Sequence, residues 1–357
     1  MDYIEIKGYK SIKNQKIDFK NINILIGANG SGKSNFISFF EFLNRLYNRN
    51  LQEYISLKGG ENKILFEGKE VTDEIYFKAE FDNGQNGYSA TIKTGEDSLI
   101  FTDERLFFNR DDGKDISNYE KEARLKITDN YRAKYIIKYL NGFRKYHFHD
   151  TGVKSPFTQM SHIENDIYYL YENGENLASF LYNIQRENPK VYTRIISTIQ
   201  SVAPYFSDFF FQPNKENYMR LQWKDKFSNI IYGVNDLSDG TIRFIALTTL
   251  FMQPDLPATI IIDEPELGLH PAAISKLAGL IKSVSAKNCQ VILATQSTDL
   301  ISHFIPEDIL TVDQVNGESV FKRLDSASLG VWLDDYDYTV DDLWKRNIIS
   351  SGQPNYR

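Results

Sequence analysis

NINILIGANGSGKSNFISFF, residues 21–40, runs from an apolar segment through a glycine-rich turn into a second apolar segment. Its spacing Gly27-x-x-x-x-Gly32-Lys33-Ser34 is that of a phosphate-binding loop between a strand and a helix. Glycines let backbone N–H groups turn toward an anion, and the N-terminus of the following helix adds free donors and a positive dipole end. A plain glycine turn is the alternative, but the lysine, the serine and the strand–helix context favour a nucleoside triphosphate site.

In a loop of this kind the lysine meets the β- and γ-phosphates, and the serine hydroxyl binds Mg²⁺. We therefore expect Lys33 at the triphosphate and Ser34 at the metal. The full set of loop residues expected at the nucleotide is Asn29, Gly30, Ser31, Gly32, Lys33, Ser34 and Asn35.

The composition limits the class of protein. A chain of 357 residues, 41% of them hydrophobic, can build one large domain or two closely joined ones. The single cysteine, Cys289, excludes a disulfide framework and favours a reducing compartment. Neither a signal segment nor an apolar stretch of membrane-spanning length is found, so we expect a cytoplasmic protein with no membrane partner. A net charge of −7 argues against a broad phosphate-binding surface but permits a local basic patch.

The rest of the sequence predicts an α/β fold in three parts. Residues 1–150 would hold the phosphate-binding loop and an antiparallel sheet, because residues 63–109 form strand-like runs around the turn DNGQNG. Residues 151–230 would form a helical insert, since residues 163–206 show helical periodicity. Residues 231–357 alternate strand and helix as a parallel sheet does. The expected fold therefore has an antiparallel β lobe, a parallel-sheet lobe and a helical insert.

The stretch PATIIIDEPELGLHP, residues 257–271, supplies acidic candidates. Its apolar run predicts a buried strand that ends at Asp263 and Glu264, and sheets of this class place ligands at the carboxyl ends of their strands. Asp263 suits Mg²⁺ through water, and Glu264 suits orienting or deprotonating an attacking water. A solvated acidic turn is the alternative, and the phosphate-binding loop upstream weakens it.

Two further stretches place polar residues between a strand and a helix. In NDLSDGT, residues 235–241, Ser238 is a good N-cap and Gly240 permits close approach. Alone, this stretch would be an ordinary helix cap. In VILATQSTD, residues 291–299, a buried strand is predicted to end at Gln296, within reach of a γ-phosphate.

The stretches YKSI, GANGSGKSN, LSDGT, IIIDEPELGLHP and ILATQST, in this order over residues 10–299, resemble the ABC-type ATPase heads of the RecF, SMC and OLD group. KYHFHDTG, NLASFLYNI and the tail DDLWKRNIISSGQP also resemble the stand-alone bacterial relatives of the OLD ATPase. The resemblance implies a P-loop NTPase of ABC/SMC-head type that binds ATP and Mg²⁺ and hydrolyses ATP. It also implies a homodimer, or a higher oligomer, that closes around two ATP molecules.

Each composite site would combine the phosphate-binding loop of one chain with the LSDGT stretch of the other. The resemblance assigns Asp263 to the metal and Glu264 to water activation, and it places Ser238 and Gly240 at the γ-phosphate held by the partner. Many such heads have a histidine after the last strand, where this chain has Gln296. The resemblance therefore leaves a γ-phosphate contact there but implies slow hydrolysis.

The histidines give no metal-ligand pattern. We interpret His147 and His149 as alternating residues of a strand, KYHFH, and we place residues 149–151 near the loop that senses nucleotide.

Two function classes remain open. About sixty residues follow Gln296, too few for the nuclease domain of OLD nucleases, and the long heptads of SMC proteins are missing. The first class is an ATP-driven switch that controls a separately encoded effector, a nuclease or toxin, in bacterial defence against phage. The second is a RecF-like DNA-repair ATPase, favoured by the cations and aromatics of RLKITDNYRAK and YRAKYIIKYLNGFRKYH, residues 124–147. A solvated helix face also explains these residues. Retention of a co-encoded protein would favour the first class, and salt-dependent DNA binding the second.

Overall fold

The computed structural model describes residues 1–96, 98–330, 332, 338–346 and 348–349, and the elements are numbered along the chain. The strands are β1 (Tyr3–Tyr9), β2 (Ile12–Asp18), β3 (Ile22–Ile26), β4 (Glu74–Phe81), β5 (Asn86–Thr94), β6 (Leu99–Phe108), β7 (Lys114–Asp115), β8 (Phe143–Tyr146), β9 (Ser161–His162), β10 (Phe206–Phe209), β11 (Tyr218–Met219), β12 (Gln222–Asp225), β13 (Ile231–Gly233), β14 (Thr259–Asp263), β15 (Gln290–Thr295), β16 (Ile309–Val315) and β17 (Glu318–Arg323). The helices are α1 (Lys33–Tyr47), α2 (Leu51–Leu57), α3 (Glu61–Ile64), α4 (Ala133–Asn141), α5 (Leu177–Glu187), α6 (Pro189–Gln200), α7 (Asp239–Met252), α8 (Pro271–Ser285), α9 (Thr298–Ile301), α10 (Ser326–Gly330) and α11 (Val340–Lys345).

The first large sheet is antiparallel, in the order β2-β1-β4-β5-β6-β7. Its inner strands alternate partly buried and buried residues, which suits a sheet with one face on a core. The predicted turn DNGQNG joins β4 to β5, with Phe81 opposite Asn86. Asp82, Asn83 and Gly84 all have positive φ, a conformation that Asn, Asp and Gly adopt most readily. The hairpin prediction is confirmed.

The second large sheet has the order β17-β16-β3-β15-β14-β8, and all of its neighbouring strands are parallel except β16 and β17. Strands β3 and β15 are buried along their whole length, as expected for parallel strands covered on both faces. Their alternate side chains enter two different cores. Ile24, Ile262 and Leu293 face the core that includes α7 and α8, whereas Leu25 and Ile261 face the core shared by α1 and the antiparallel sheet.

The second large sheet combines strands from the first and the last of the three predicted parts of the chain. β3 and β8 come from the first 150 residues but pair in the sheet of the C-terminal third. Residues 151–230 contain the helices α5 and α6 together with the short strands β9 to β13. The boundaries at residues 150 and 230 therefore stay a prediction. Within the described residues, no helix combines the length and apolar character needed to cross a bilayer.

One local prediction is wrong. Strand β8 ends at Tyr146, so His147 and His149 follow the strand instead of alternating within it. The chain leaves the sheet here because the His147 N–H donates to the carbonyl of Glu172, at 2.9 Å. The tail quoted for its OLD-like resemblance begins in α11, but its residue 347 and its residues 350–354 lie outside the described residues.

Candidate functional site

The glycine-rich loop leaves β3 at Ile26 and enters α1 at Lys33, as predicted. Gly30 and Gly32 have φ values of 81° and 110°, which glycine adopts without the strain of a Cβ. The Lys33 ammonium bends back into the loop and donates to the carbonyl oxygens of Gly27 and Ala28, at 2.6 and 3.0 Å. Burial lowers the pKa of Lys33 below its ordinary value, and the nearby carboxylates of residues 263 and 264 act in the opposite direction. The structure therefore brings the loop cation and both predicted acids together.

A hydrogen-bond network of Ser11, Ser319 and Asn35, which we call the serine clamp, holds the glycine-rich loop. The hydroxyl of Ser319, the second residue of β17, donates to the Ser31 carbonyl at 2.7 Å and lies 2.8 Å from the Ser11 hydroxyl. A hydroxyl has one proton, so Ser11 donates to Ser319 in the second contact. Asn35 donates in turn to Ser11, at 2.8 Å. A Cβ on Gly32 would lie 1.9 Å from the Ser319 oxygen, so both the serine and the glycine are needed for this close packing.

Strand β16 packs against the same loop. A Cβ on Gly27 would lie 2.3 Å from the Val312 carbonyl oxygen, which explains the first glycine of the motif by packing within the chain. Local sequence patterns do not indicate these contacts, because Ser319 lies 288 positions from Ser31.

The two predicted magnesium ligands meet at the end of β14. Burial and the Glu264 charge raise the pKa of Asp263, and the nearby Ser34 hydroxyl acts to lower it. Lys145 and His149 also act to lower that pKa, and the His149 Nε2 lies 3.0 Å from the Asp263 carbonyl oxygen. A carboxylate beside a hydroxyl fits Mg²⁺, which takes few protein oxygens and completes its shell with phosphate and water. Among the described residues no cluster of three or more His, Cys, Asp or Glu forms another metal site.

Gln296 links the glycine-rich loop to Glu264 through two hydrogen bonds. Its amide nitrogen donates to the Asn29 side chain at 2.7 Å and to the Glu264 carboxylate at 2.9 Å. Glu264 has a positive φ of 42°, unusual for a residue other than glycine, and its N–H donates to the carbonyl of Ala294 on β15. The backbone thus turns sharply after Asp263, and Glu264 comes within reach of both the loop and Gln296.

Glu266 is a site residue that the sequence analysis missed. Its buried carboxylate accepts a hydrogen bond from Thr295, and the Thr295 hydroxyl accepts a second bond from the Ser297 N–H at 2.9 Å. Burial raises the pKa of Glu266, while hydrogen bonds from Thr295 and the Gln296 backbone act to lower it. Glu266 therefore fixes the turn that presents Gln296.

Ser238 and Gly240 lie at the start of α7. The Ser238 hydroxyl accepts from the Thr241 N–H at 3.2 Å, which confirms the N-cap, and the side chain is exposed. Within the described part of the chain its only side-chain hydrogen bonds are to Thr241, so they do not reach the chain's own glycine-rich loop. A Cβ on Gly240 would lie 2.4 Å from the Gly268 carbonyl oxygen, so this glycine is already required by packing within the chain.

A buried arginine ties α7 to the acidic strand end. Arg243 donates to the carbonyls of Phe148 and His149, at 3.0 and 3.1 Å, and also to the carbonyl of Leu267. Burial lowers the pKa of Arg243, and the charge of Asp239, one turn earlier on α7, acts in the opposite direction. One rigid guanidinium therefore links the helix after Ser238, the segment after β8 and the turn after Glu264.

The sequence of the chain matches those of known proteins. Residues 22–302 match the family described as "AAA domain, putative AbiEii toxin, Type IV TA system". An "ATP/GTP phosphatase" of Helicobacter pylori is 24% identical over 338 residues, which are 84% of this chain and 85% of that protein. The tungstate uptake system ATP-binding protein TupC of Campylobacter jejuni is 45% identical over 47 residues, or 13% of this chain and 14% of that protein.

Solved structures confirm the fold. An SMC head bound to the C-winged helix domain of ScpA has a TM-score of 0.58 at 19% identity and covers 92% of this chain and 98% of that chain. An SMC head with an extended coiled coil, bound to the C-terminal domain of ScpA derived from Pyrococcus furiosus, has a TM-score of 0.54 at 17% identity and covers 94% and 99%. The SMC head domain from Thermotoga maritima has a TM-score of 0.50 at 16% identity and covers 91% and 98%. The predicted ABC/SMC-type P-loop fold is correct, and the closer resemblance to OLD stays a prediction.

The serine clamp predicts that Ser319→Val destabilises the chain by about 1–3 kcal/mol, because methyl groups would press on Gly32 and leave the Ser31 carbonyl without its donor. Denaturant unfolding measures the loss, with Ser283→Val on the exposed face of α8 as the matched control. Equal stability of the two variants would show that the clamp contributes nothing.

Glu266 predicts a defined pH dependence. Its pKa is raised in the folded chain, so its contribution to the free energy of unfolding is complete below the unfolded value of about 4.3 and is lost as pH rises through the folded value. Glu266→Gln should therefore gain in melting temperature relative to the wild type as pH rises from 4 toward 8. Thermal melts across this range test it, with the exposed Glu187→Gln as control. A difference that stays constant with pH would contradict the burial argument.

Proposed function

We propose that this protein works as an ATP-controlled switch. It belongs to the family described as "AAA domain, putative AbiEii toxin, Type IV TA system", and it is an ATPase with a head of the ABC/SMC type. Two copies close around two ATP molecules, and closure acts on a separate effector protein. A cytoplasmic location stays a prediction.

The observation behind this proposal is the position of Ser238. It caps an exposed helix N-terminus, a natural site for an anion, and its side chain makes no hydrogen bond to the glycine-rich loop of its own chain in the described residues. Yet Arg243, one turn further along α7, is bonded to the carbonyls of His149 and Leu267, on either side of the acidic strand end. A phosphate from a second chain at Ser238 would therefore act directly on the segments that hold Asp263 and Glu264.

Within one chain, the residues divide the chemistry as follows. Lys33 and the loop N–H groups bind the β- and γ-phosphates, and Asp263 with Ser34 holds Mg²⁺, which neutralises the phosphate charge. Glu264 orients and deprotonates the attacking water. Gln296 donates hydrogen bonds but has no titratable proton, so it positions Glu264 and the γ-phosphate without acting as an acid or base. We expect slow hydrolysis for this reason.

The effector that the switch controls is a second, separately encoded protein. The matched family is described with the words AbiEii toxin and type IV TA system, which supports a toxin or nuclease as the controlled protein and a role in defence against phage. The resemblance of KYHFHDTG and NLASFLYNI to stand-alone OLD relatives points the same way.

A RecF-like DNA-binding ATPase is the second candidate, and one observation favours it. Tyr131 and Tyr135 are 58% and 51% exposed, and Lys134 and Lys138 are exposed beside them. Their spacing puts all four on one face at the start of α4 and along it, where rings can stack on bases and the ammonium groups can meet phosphates. This candidate requires salt-dependent binding of DNA by the isolated protein.

The composite site predicts that two inactive variants complement each other. Ser238→Arg should bind ATP as single chains but fail to hydrolyse it, because the partner's γ-phosphate loses its second set of donors. Lys33→Ala should fail to bind the triphosphate. A mixed dimer keeps one complete site, so equal mixing should restore about one quarter of wild-type ATPase activity if the two sites act independently.

Ser238→Asp is the matched control for the helix cap. Aspartate caps a helix as well as serine does, but its charge repels a phosphate. A purely capping role predicts normal hydrolysis by Ser238→Asp, whereas the composite site predicts its loss. Normal hydrolysis by both Ser238 variants would remove the shared site. If mixing restores no ATPase activity, a measurement of ATP-dependent heterodimer formation shows whether the two variants bind each other.

A further inference from the structure

A polar groove of about 580 Å³ lies along the second half of α1. Its walls are the second half of α1, strand β8 and residues 169–175. Glu41 and Arg45 line it, 8 to 12 positions after Lys33 and hence about 12–18 Å along the helix from the phosphate-binding loop. Lys145 of the groove also acts on Asp263, so the groove adjoins the ATP site but does not include the glycine-rich loop, and its volume is in the range of ordinary ligand sites.

Three cations line this groove without a short ion pair to any carboxylate of the described residues. Arg45 comes from α1, and Arg144 and Lys145 come from β8. In the part of the chain that the structure describes, none of the three forms an ion pair or a side-chain hydrogen bond. Cations from two elements without an ion pair favour an anionic ligand, and guanidinium groups fit phosphate especially well.

The groove is also lined by aromatic rings and carboxylates. The Arg144 guanidinium lies 3.9 Å from the centre of the Tyr169 ring, and Tyr171 lines the groove beside it. Two carboxylates also line the groove, those of Glu172 and Glu175, and the pKa of Glu172 is raised by burial while the charges of the three groove cations act to lower it. A third acid, at position 41, is already ion-paired with Lys58 at 3.6 Å, so it does not neutralise the cations of the groove.

A ligand that satisfies this set has a phosphate, a planar ring and amino donors. We propose that the groove binds a nucleoside phosphate, with the phosphate on Arg45, Arg144 and Lys145, the base against the tyrosine rings and its amino group toward the carboxylates. Aromatic rings and arginines together are a common platform for bases. The ligand is either a free nucleotide or the phosphorylated end of a nucleic acid strand. The inference does not depend on the switch proposed above.

Binding is measured on the full chain with Lys33→Ala, which removes triphosphate binding in the loop. The probes are adenosine 5′-monophosphate, inorganic phosphate and a 5′-phosphorylated oligodeoxyadenosine, each titrated calorimetrically. We expect one saturable site per chain for the monophosphate, for the strand or for both, and weaker binding of inorganic phosphate. Binding of the monophosphate alone identifies a free nucleotide, and binding of the strand alone identifies a strand end.

Arg144→Gln and Arg45→Gln should each weaken this binding at least tenfold. The matched control is Arg186→Gln on α5, whose guanidinium also lies over a tyrosine ring, at 5.5 Å, but outside the groove. Absence of binding by both nucleotide probes, or equal binding by Arg144→Gln and Arg186→Gln, would overturn the proposal. In wild-type protein the same substitutions should remove the groove site and leave thermal stabilisation by Mg·ATP intact, which guards against a folding defect of Lys33→Ala.

Discussion

The parallel pairing of β3, β15 and β14 is the constraint on which the site depends. Ile26 pairs with Thr295, and Asp263 pairs with Ala294, so three strands end at one edge in register. Parallel strands point their carboxyl ends the same way, and the loop, the acidic pair and Gln296 follow those ends directly. The sharp backbone turn at Glu264 then brings its carboxylate to Gln296, which also donates to the loop.

Two distant contacts hold this edge in place. Ser319 fixes the loop from the side of β17, and Arg243 fixes the turn after Glu264 from the side of α7. Both side chains are buried and bonded to backbone carbonyls, so they hold main-chain positions and not only side chains. Because Arg243 belongs to the helix that Ser238 caps, its guanidinium connects α7 to the turn after the acids of the same chain. This connection is the physical basis of the proposed switch.

Local spacing made much of the fold and the site predictable. The phosphate-binding loop, the strand ending at Asp263, the cap at Ser238 and the hairpin at residues 82–87 are each specified by neighbouring residues. Ser319, Arg243 and the groove at β8 depend on residues far apart in sequence, which periodicity cannot join. The strand predicted through His149 ended early because a backbone partner at Glu172 lies outside the sheet. Glu266 lies within the acidic stretch that the sequence singled out, but only the burial of its carboxylate beside Thr295 distinguishes it from a solvated acid.

The central claim is that ATP joins two chains, and Glu264→Gln tests it most directly. The amide keeps the shape of the side chain but cannot act as a base, so bound ATP should persist. Sedimentation velocity with Mg·ATP should show a lasting dimer of Glu264→Gln, a shorter-lived one for wild type, and single chains for both without nucleotide. A Glu264→Gln chain that binds Mg·ATP tightly and still sediments as a single chain would contradict the account.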